Sequence, residues 1–339
     1  MKSYEVKEAF GIENLTLVDR PDPTPGPKQI LVKVKATSIN YRDVLLVRGH
    51  YNPRQPLPII PFSDGAGEVV AVGEGVTQFA EGDRVASCFF QNWDGGAPQA
   101  NTVVPSAMGS PLDGMLTQLI VLEENGAVKL PDHLSYEEGA TLPCAALTAW
   151  SCLFRHGNVG PGDTVLTLGT GGVSIFALQF AKMAGADVVI TSSSDDKLAR
   201  ARELGASLGI NYREDEKWSK AVKAHTGGVG ADHIIEVGGV GTLDQSIRAC
   251  KMGGHISLVG ILAGPQAPLN LTLVLMQDIR IQGVFVGPRE TFQEMNRAIG
   301  QHQLKPAIDK VFPYAEARDA LEYVGSGSHF GKVCISIDD

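Results

Sequence analysis

The sequence predicts an α/β protein in which a β-rich part is combined with a doubly wound parallel sheet. Two observations carry this prediction. Residues 1–125 hold short strand-like stretches punctuated by glycine, without long helices between them, which suggests a barrel or a strongly bent sheet. From Asp163 to Val286, strand-like and helix-like stretches alternate, which predicts a parallel sheet covered on both faces, of the size of one dinucleotide-binding unit.

The elements of the β-rich part follow from local patterns. The proline-rich stretch Pro21–Pro27 is typical of a loop, and Ile30–Ala36 after it alternates apolar and polar residues with a period of two, as a half-buried strand does. A short helix is predicted over Tyr41–Arg48. Strands that end in turns are predicted at Gly67–Gly73 and Gly82–Ser87.

Two features mark the end of the β-rich part. Residues Phe89–Gly114 are rich in glycine, proline, asparagine and serine, which predicts either a long loop over a site or a mobile surface excursion. Ser135 and Glu138 have the spacing of a capping box, so a helix is expected to begin there.

The second part is predicted element by element. Strands are expected at 164–168, 187–191, 208–211, 232–236, 255–259 and 280–286, and helices at 172–184, 195–204, 215–225, 242–251 and 271–277. A helix (290–301), a short strand, a helix (315–325) and a strand (332–337) follow, and we expect them to return to the first domain. That domain would then be discontinuous, 1–126 and 289–339, around a dinucleotide-binding domain at 127–288.

Composition narrows the function classes. The 339 residues suffice for two cores, and the net charge of −9 argues against nucleic acid or an anionic membrane as the partner, leaving a small-molecule substrate. The five cysteines are an odd number without a C-x-x-C pair, which favours a reducing compartment. The N-terminus has charges where a signal peptide needs an apolar run, and no stretch of about 18 apolar residues occurs. We expect a cytoplasmic protein.

A glycine cluster between a strand and a helix, within Thr164–Ser174, predicts a phosphate cradle. Its residues are Gly169, Thr170, Gly171, Gly172, Val173 and Ser174. Gly169 permits the tight turn, the next two glycines let a pyrophosphate approach the backbone, and the helix N-terminus offers free N–H groups, with Ser174 as a further hydroxyl contact. The alternative is a βα turn that needs glycine only for packing.

The end of the next strand predicts the cofactor. Where an NAD site usually has an acidic residue, small hydroxyls and cations stand here: Ser192, Ser193, Ser194, Lys197 and Arg200. These suit a ribose 2′-phosphate, so NADPH is favoured over NADH. Asp195 and Asp196 are counter-evidence if they face the ribose, but capping the helix is the simpler role.

The sequence gives no sign of a metal site. The loop 89–114 has no cysteine for a Cys₄ zinc, the eight histidines show neither H-x-H nor H-E-x-x-H spacing, and Cys144 stands alone. A dinucleotide enzyme without metal cannot easily polarise an alcohol for oxidation. It can reduce conjugated acceptors, because their electron sink lies within the substrate.

The chain resembles the medium-chain dehydrogenase/reductase superfamily, in its zinc-free quinone oxidoreductase branch. The motifs that carry the resemblance extend over the whole length: Ser38–Asp43 (SINYRD), Pro61–Val70 (PFSDGAGEVV), Gly73–Val76 with Gly82–Val85, Leu142–Trp150 (LPCAALTAW), Gly169–Ser174, Ile210–Tyr212 and His329–Val333. The resemblance implies a GroES-like catalytic domain and a Rossmann domain with the active site in the cleft between them. It also implies homodimers that pair the last Rossmann strand, near residues 280–286.

The resemblance also bears on metal. Zinc-containing relatives take ligands from a cysteine after the third strand, a histidine in a Gly-His-Glu motif, and a later cysteine or aspartate. The matching positions are Asn40, Ser63 and Cys144, so one of the three ligands remains. Arg42 stands where those relatives have the proton-relay hydroxyl. The resemblance therefore implies no catalytic zinc.

Cofactor contacts carried over from quinone reductases fall into two groups. Lys197 and Tyr212 match positions that hold the 2′-phosphate, and Lys332 resembles a C-terminal basic contact to the same region. Tyr212 and Lys332 have simpler interpretations, a strand-end aromatic and a solvated surface cation. The positions that match the surroundings of the nicotinamide and its ribose are Thr148, Val237, Gly238, Gly260, Ile261, Phe285 and Val286.

On the substrate side, Asn40 and Tyr51 match positions that line the quinone reductase pocket. Tyr41 and Tyr51 are candidate proton donors, or they simply pack. Arg42 with Asp43 is interpreted as a structural ion pair rather than as catalytic. Phe62, Trp93 and Phe285 are candidates for the apolar wall that a planar acceptor needs.

The sequence thus predicts a zinc-independent, NADPH-dependent oxidoreductase that transfers hydride to a quinone or an α,β-unsaturated carbonyl. Two alternatives stay open: an NADP-dependent alcohol or aldehyde dehydrogenase, and a non-catalytic NADPH-binding relative.

Overall fold

The computed structural model describes residues 1–266 and 269–337 and divides into two compact units. Unit 1 comprises Met1–Leu147 and Pro288–Asp339, and unit 2 comprises Thr148–Gly287. The first boundary lies later than residue 126 because the helix Tyr136–Ala140 bonds to unit 1. The carbonyl of Ala140 accepts a hydrogen bond from Ser38 Oγ (2.9 Å) and that of Glu137 accepts one from Cys334 Sγ (3.5 Å).

Unit 1 is built on a mixed sheet. The strands of this unit are β1 (Lys2–Val6), β2 (Leu15–Asp19), β3 (Gln29–Ile39), β4 (Asp64–Val72), β5 (Arg84–Ser87), β6 (Leu119–Glu123), β7 (Ala127–Lys129), β14 (Ile308–Pro313) and β15 (Lys332–Ser336). Strands β1 and β2 form a separate antiparallel pair. The main sheet has the order β14-β15-β3-β4-β5-β7, and β6 also pairs with β3. All of its pairs are antiparallel except β14 with β15.

Register in this sheet brings one end of three strands together. Val333 pairs with Ile39 across β15 and β3, and Ser38 pairs with Asp64 across β3 and β4. The start of β15, the end of β3 and the start of β4 therefore lie side by side. Because β3 is long and its central residues are buried on alternate positions, this register is fixed by the core rather than by the turns.

The helices of unit 1 are short except for two near the C-terminus. The α-helices of this unit are α1 (Tyr41–Val47), α2 (Ala100–Val103), α3 (Tyr136–Ala140), α10 (Arg289–His302) and α11 (Ala317–Gly325). Helix α4 (Leu147–Trp150) spans the boundary in the chain between the two units. The capping box that the sequence predicts before α3 is confirmed: Glu138 N donates to Ser135 Oγ (3.2 Å), and Ser135 N donates to Glu138 Oε2 (2.7 Å).

The excursion Phe89–Gly114 is pinned at its base. Met108 N donates to Phe89 O and Gln91 N donates to Ser106 O, both at 2.9 Å. Phe89, Phe90 and Gln91 are buried, and α2 lies within the excursion. Its first residues thus belong to the core of unit 1.

Unit 2 is a six-stranded parallel sheet, as the alternation of elements predicts. Its strands are β8 (Thr164–Leu168), β9 (Asp187–Ser192), β10 (Leu208–Asn211), β11 (Ala231–Glu236), β12 (Cys250–Leu258) and β13 (Arg280–Gly283), in the order β10-β9-β8-β11-β12-β13. Its helices are α5 (Gly172–Met183), α6 (Asp195–Glu203), α7 (Ser219–His225), α8 (Leu243–Ala249) and α9 (Leu271–Met276). This is the strand order of a dinucleotide-binding sheet.

Three element boundaries in unit 2 differ from those predicted by three residues or more. Helix α7 begins at Ser219 rather than at 215, and β12 begins at Cys250, directly after α8, rather than at 255. Strand β13 ends at Gly283 rather than at 286, and Val286 has a positive φ of 52°, which interrupts an extended strand. In the part of the chain described, no helix is both long and apolar enough to cross a bilayer.

Candidate cofactor and substrate sites

The glycine cluster of unit 2 forms an open cradle. Gly169 ends β8 with a φ of 73°, and Gly171 is the residue that precedes the first turn of α5. A Cβ added at Gly169 or Gly171 meets no atom within 4 Å. Packing therefore does not require glycine at Gly171, whereas the positive φ of Gly169 favours glycine whatever the space around it. The open space in front of the α5 N-terminus suits a pyrophosphate.

The side chain of Ser174 bonds to the end of β8. It is buried, and its Oγ donates a hydrogen bond of 2.6 Å to the carbonyl of Leu168. The hydroxyl proton is therefore committed to the strand end, and the contact of Ser174 with the cofactor stays a prediction. Thr170 lies in the same turn and is buried, and Gly172 and Val173 are the first residues of α5.

At the end of β9 the serines have separate roles. Ser194 is the N-cap of α6, with its Oγ accepting from Lys197 N at 3.4 Å, and Ser192 is buried with its Oγ accepting from Ser194 N at 3.3 Å. The prediction that Asp195 or Asp196 caps α6 is therefore wrong, because Ser194 is the capping residue. Asp195 instead accepts a hydrogen bond of 3.1 Å from Asn211 Nδ2.

The remaining residues predicted to hold the 2′-phosphate lie around the same strand end. Ser193 and Lys197 are half-buried, and the ring of Tyr212 is 42% exposed. Tyr212 N donates to Ser192 O at 3.0 Å, which ties the end of β10 to the end of β9. These residues form one cluster within unit 2.

The loop after β11 is organised by a buried carboxylate that the sequence reasoning missed. Glu236 is fully buried, and its Oε1 accepts from Gly238 N (2.8 Å), Gly239 N (3.1 Å) and Thr242 Oγ1 (2.7 Å), while its Oε2 accepts from Ser246 Oγ (2.5 Å). The signal available in the sequence was an acidic residue at the end of a strand, directly after Ile234 and Ile235 and one residue before a pair of glycines.

The same glutamate links two of the loops predicted to surround the nicotinamide. Its backbone carbonyl accepts from Val259 N (2.9 Å) and Gly260 N (3.2 Å), and Val237 O accepts from Leu262 N (3.2 Å). The loops after β11 and β12 are thus held together. The other residues predicted to contact the nicotinamide differ in solvent exposure. Thr148 and Val286 are buried, Val237 is half-buried, and Ile261 and Phe285 are exposed.

In unit 1 the end of the mixed sheet holds a buried cation. Lys332 is 2% exposed, and its Nζ donates to Ile39 O (2.8 Å) and to Asn40 Oδ1 (2.7 Å) and lies 4.0 Å from Asp64 Oδ2. The interpretation of Lys332 as a solvated surface cation is wrong, because the register of β15 against β3 places it inside. Its contact with a cofactor stays a prediction.

Asp64 is surrounded by donors. Ser63 Oγ donates to its Oδ1 (2.6 Å) and Cys144 N to its Oδ2 (3.2 Å). Burial raises the pKa of Asp64, while Lys332, the amide of Asn40 and the Ser63 hydroxyl oppose that rise. Burial, with Asp64 next to it, also raises the pKa of the Cys144 thiol far above its usual value.

Arg42 and Asp43 form the structural ion pair that the sequence suggests. Arg42 Nη1 lies 3.5 Å from Asp43 Oδ1 and donates to Met108 O at 3.0 Å. Asp43 is fully buried, and its Oδ2 accepts from Asn40 N (2.8 Å). Burial raises the pKa of Asp43 to about 6, although Arg42 opposes the rise.

The two candidate proton donors differ in their surroundings. Tyr51 is 44% exposed, and the guanidinium carbon of Arg42 lies 4.7 Å from its ring centroid and 4.8 Å from that of Phe89. Tyr41 is 43% exposed, at the first position of α1. Tyr51 thus has a fixed ring, held by a cation–π contact.

The apolar wall predicted from Phe62 and Trp93 is wrong for both residues. Phe62 is fully buried in the core of unit 1, and Trp93 is 7% exposed, with its ring 5.8 Å from that of Phe90 and its Nε1 donating to Gly96 O (3.3 Å). Both rings are used for packing. Phe285, in unit 2, is 45% exposed.

Two family models match the chain. The model described as alcohol dehydrogenase GroES-like domain matches residues 26–132, and the model described as zinc-binding dehydrogenase matches residues 172–301. These assignments agree with the mixed sheet of unit 1 and the parallel sheet of unit 2.

Relatives are similar over nearly the whole chain. A zinc-type alcohol dehydrogenase-like protein of Schizosaccharomyces pombe is 45% identical over 92% of each chain. A solved structure described as an alcohol dehydrogenase of Sinorhizobium meliloti 1021 is 39% identical, with a TM-score of 0.93 over 99% of this chain and 98% of the other. A mycobacterial quinone oxidoreductase is 27% identical, with a TM-score of 0.83 over 99% and 100%.

Proposed function

This chain belongs to the medium-chain dehydrogenase/reductase superfamily of oxidoreductases, and on that premise we propose that it is an NADPH-dependent, zinc-independent reductase of quinones or α,β-unsaturated carbonyls. The observation that carries the proposal is the buried ammonium of Lys332 bonded to Asn40, at the position where zinc-containing relatives have their first ligand. A cation is already present there, and it is not a metal.

The residues present do not fit a catalytic zinc. Asn40 and Ser63 are neutral and engaged with Lys332 and Asp64, so Cys144 is the one zinc-binding side chain at the three matching positions. A zinc ligand set needs thiolate, imidazole or carboxylate groups. Among the described residues, no group of three or more His, Cys, Asp or Glu is placed to hold a metal ion.

Preference for NADPH rests on the end of β9. Asp195, the first acidic residue after that strand, is hydrogen-bonded to Asn211, while hydroxyl and cationic residues stand beside it. A carboxylate that accepted both ribose hydroxyls would favour NADH. Ser193, Lys197 and Tyr212 are the groups that we assign to the 2′-phosphate.

Bound NADPH supplies the hydride in this reaction. The protein binds the pyrophosphate at Gly169–Val173, and Glu236 holds the loops that flank the nicotinamide. Without a metal to polarise an alcohol, the acceptor must stabilise the charge that hydride addition creates, which conjugated carbonyls and quinones do. We assign the subsequent proton transfer to Tyr51 or to solvent.

The test is turnover of the purified protein with NADPH and NADH against a panel of quinones, enones, aldehydes and alcohols, together with its metal content. NADPH-dependent reduction of a quinone or enone without stoichiometric zinc supports the proposal. Clear alcohol oxidation with one zinc per chain would make it an NADP-dependent alcohol dehydrogenase. Tight NADPH binding without any turnover would make it a non-catalytic binding protein.

We further propose that the chain forms homodimers through unit 2. Strand β13 is the edge of the parallel sheet, and large apolar side chains near it are exposed: Met252, Ile261, Leu262, Leu271, Leu275 and Met276. Unpaired edges and apolar patches of this kind are typical of protein interfaces. Light scattering should give the mass of a dimer for the wild type and of a monomer for Leu275→Glu. A monomeric wild type would refute the proposed homodimer.

A further inference from the structure

The end of the mixed sheet in unit 1 carries four buried charges that balance. Lys332 is paired with Asp64, at 4.0 Å, and Arg42 with Asp43, at 3.5 Å. All four side chains are at most 10% exposed. Buried charges are costly unless they are paired and hydrogen-bonded, so the cluster has no capacity for a further cation without losing one of its own.

The ammonium of Lys332 has the partners that a small cation would have. It donates hydrogen bonds to a backbone carbonyl (Ile39) and to an amide oxygen (Asn40), and it forms an ion pair with a carboxylate (Asp64) at 4.0 Å. Two of these acceptors lie at or next to the positions that match the zinc ligands of relatives, namely Asn40 itself and Asp64, which follows Ser63. The ammonium is thus surrounded by oxygen atoms next to the positions that match the zinc ligands of relatives.

The pairing of β15 with β3 fixes the position of Lys332 at the end of the mixed sheet. Lys332 begins β15, and Val333 beside it pairs with Ile39 of β3. Gly331 before it has a φ of 68°, and a Cβ at Gly331 would lie 2.3 Å from Ala307 O. A one-residue slip of β15 would reverse every side chain of the strand, so the position of the ammonium is set by the sheet.

We propose that the ammonium of Lys332 replaces the metal ion of zinc-containing relatives as the cation of this site, and that it excludes divalent metal by charge and by occupying the same oxygen ligands. The inference deepens the proposed zinc-independent function and rests on it. It assigns Lys332 as a positioning residue that fixes Asn40 and neutralises Asp64.

Metal binding by variants tests the inference without using turnover. The variant Asn40→Cys/Ser63→His restores the two ligands that relatives have, with Cys144 as the third, and keeps Lys332. The variant Asn40→Cys/Ser63→His/Lys332→Met removes the ammonium as well. Co²⁺ is titrated into each metal-free protein, and binding is read from the thiolate-to-cobalt absorption, with circular dichroism as the check on folding.

We expect the triple variant to bind one Co²⁺ per chain at least about tenfold more tightly than the double variant, because a unit positive charge within a few Å opposes a divalent ion. Asn40→Cys/Ser63→His/Lys332→Arg is the matched control and should bind as weakly as the double variant. Should Lys332→Met prevent folding, Lys332→Gln takes its place in the same background.

Equal Co²⁺ affinity of the double and triple variants, or no binding by a folded triple variant, overturns the inference. Both results concern metal affinity alone. If the wild type fails to reduce quinones and enones while the variants differ as expected, the proposed acceptor fails and the inference about Lys332 stands.

Discussion

Lys332 and Asp64 form a buried ion pair in unit 1, with 4.0 Å between Nζ and Oδ2 and side chains 3% and 0% exposed. Removing one partner of such a pair leaves an uncompensated buried charge. We predict that Lys332→Met lowers the free energy of unfolding by about 3–5 kcal/mol. Adding Asp64→Asn should recover most of this loss, because the orphaned charge is then gone.

Urea unfolding of both variants measures this coupling, and exposed Lys7→Met serves as the control, expected to lie within about 0.5 kcal/mol of the wild type. If Asp64→Asn deepens the loss instead, the two residues do not compensate each other.

Lys197 should distinguish the two nicotinamide cofactors. A lysine at the 2′-phosphate contributes to NADPH binding and has no counterpart in NADH. We predict that Lys197→Ala weakens NADPH binding by about tenfold or more and leaves NADH binding within about twofold. Fluorescence titration measures both affinities, and exposed Lys220→Ala of the same unit is the control. Equal losses for both cofactors would remove Lys197 from the phosphate site.

Tyr51 is the proton donor that the geometry favours over Tyr41, because Arg42 fixes its ring while the side chain stays 44% exposed. We predict that Tyr51→Phe lowers kcat by about a hundredfold with little change in KM, and that Tyr41→Phe stays close to the wild type. Steady-state kinetics with the best acceptor of the panel decide this. An unchanged kcat for Tyr51→Phe would assign the proton to solvent.

Glu236 should control the order of the loop after β11. Its carboxylate accepts four hydrogen bonds. In a glutamine, one of the two accepting oxygens is replaced by an NH₂ group, which cannot accept from these donors. We predict that Glu236→Gln costs about 2–3 kcal/mol and raises KM for the cofactor. Hydrogen exchange at Gly238 and Gly239 should accelerate, whereas exposed Glu214→Gln leaves it unchanged. Unaltered exchange in Glu236→Gln would contradict the role of the carboxylate.

His255 makes unit 2 sensitive to acid. Burial, helped by Arg280, His233 and His156, lowers its pKa to about 4, from 6.5. Between these two values the unfolded chain binds the proton and the folded chain does not, so the contribution of His255 to stability is lost as pH falls from 6.5 towards 4. We predict that His255→Asn gains about 3 kcal/mol relative to the wild type over this range.

Unfolding at several pH values in a Trp93→Phe background measures this effect, because Trp150 and Trp218 then report on unit 2 alone. Asp43 titrates in the opposite sense, since its pKa is raised to about 6, but it is the same in both proteins and cancels in the difference. A difference between the two proteins that does not change with pH would disprove the effect.

The sequence by itself determined the elements that depend on local pattern. The alternation of strands and helices from Asp163 onwards predicts the parallel sheet, and the glycines after β8 predict an open cradle. Such features follow from residue spacing and backbone conformation, which a single chain shows directly. Phe62 and Trp93 show the limit, because an aromatic residue in the sequence does not reveal whether its ring faces a ligand or the core.

Only the tertiary structure decided where charge lies. Lys332 is separated from Asn40 by almost the whole chain, and neither residue predicts the other; the register of β15 against β3 brings them to 2.7 Å. Glu236 likewise acquires its four donors only when the loop closes over the end of β11. Burial and long-range pairing set the charge state and role of such groups, and both arise when the sheets form.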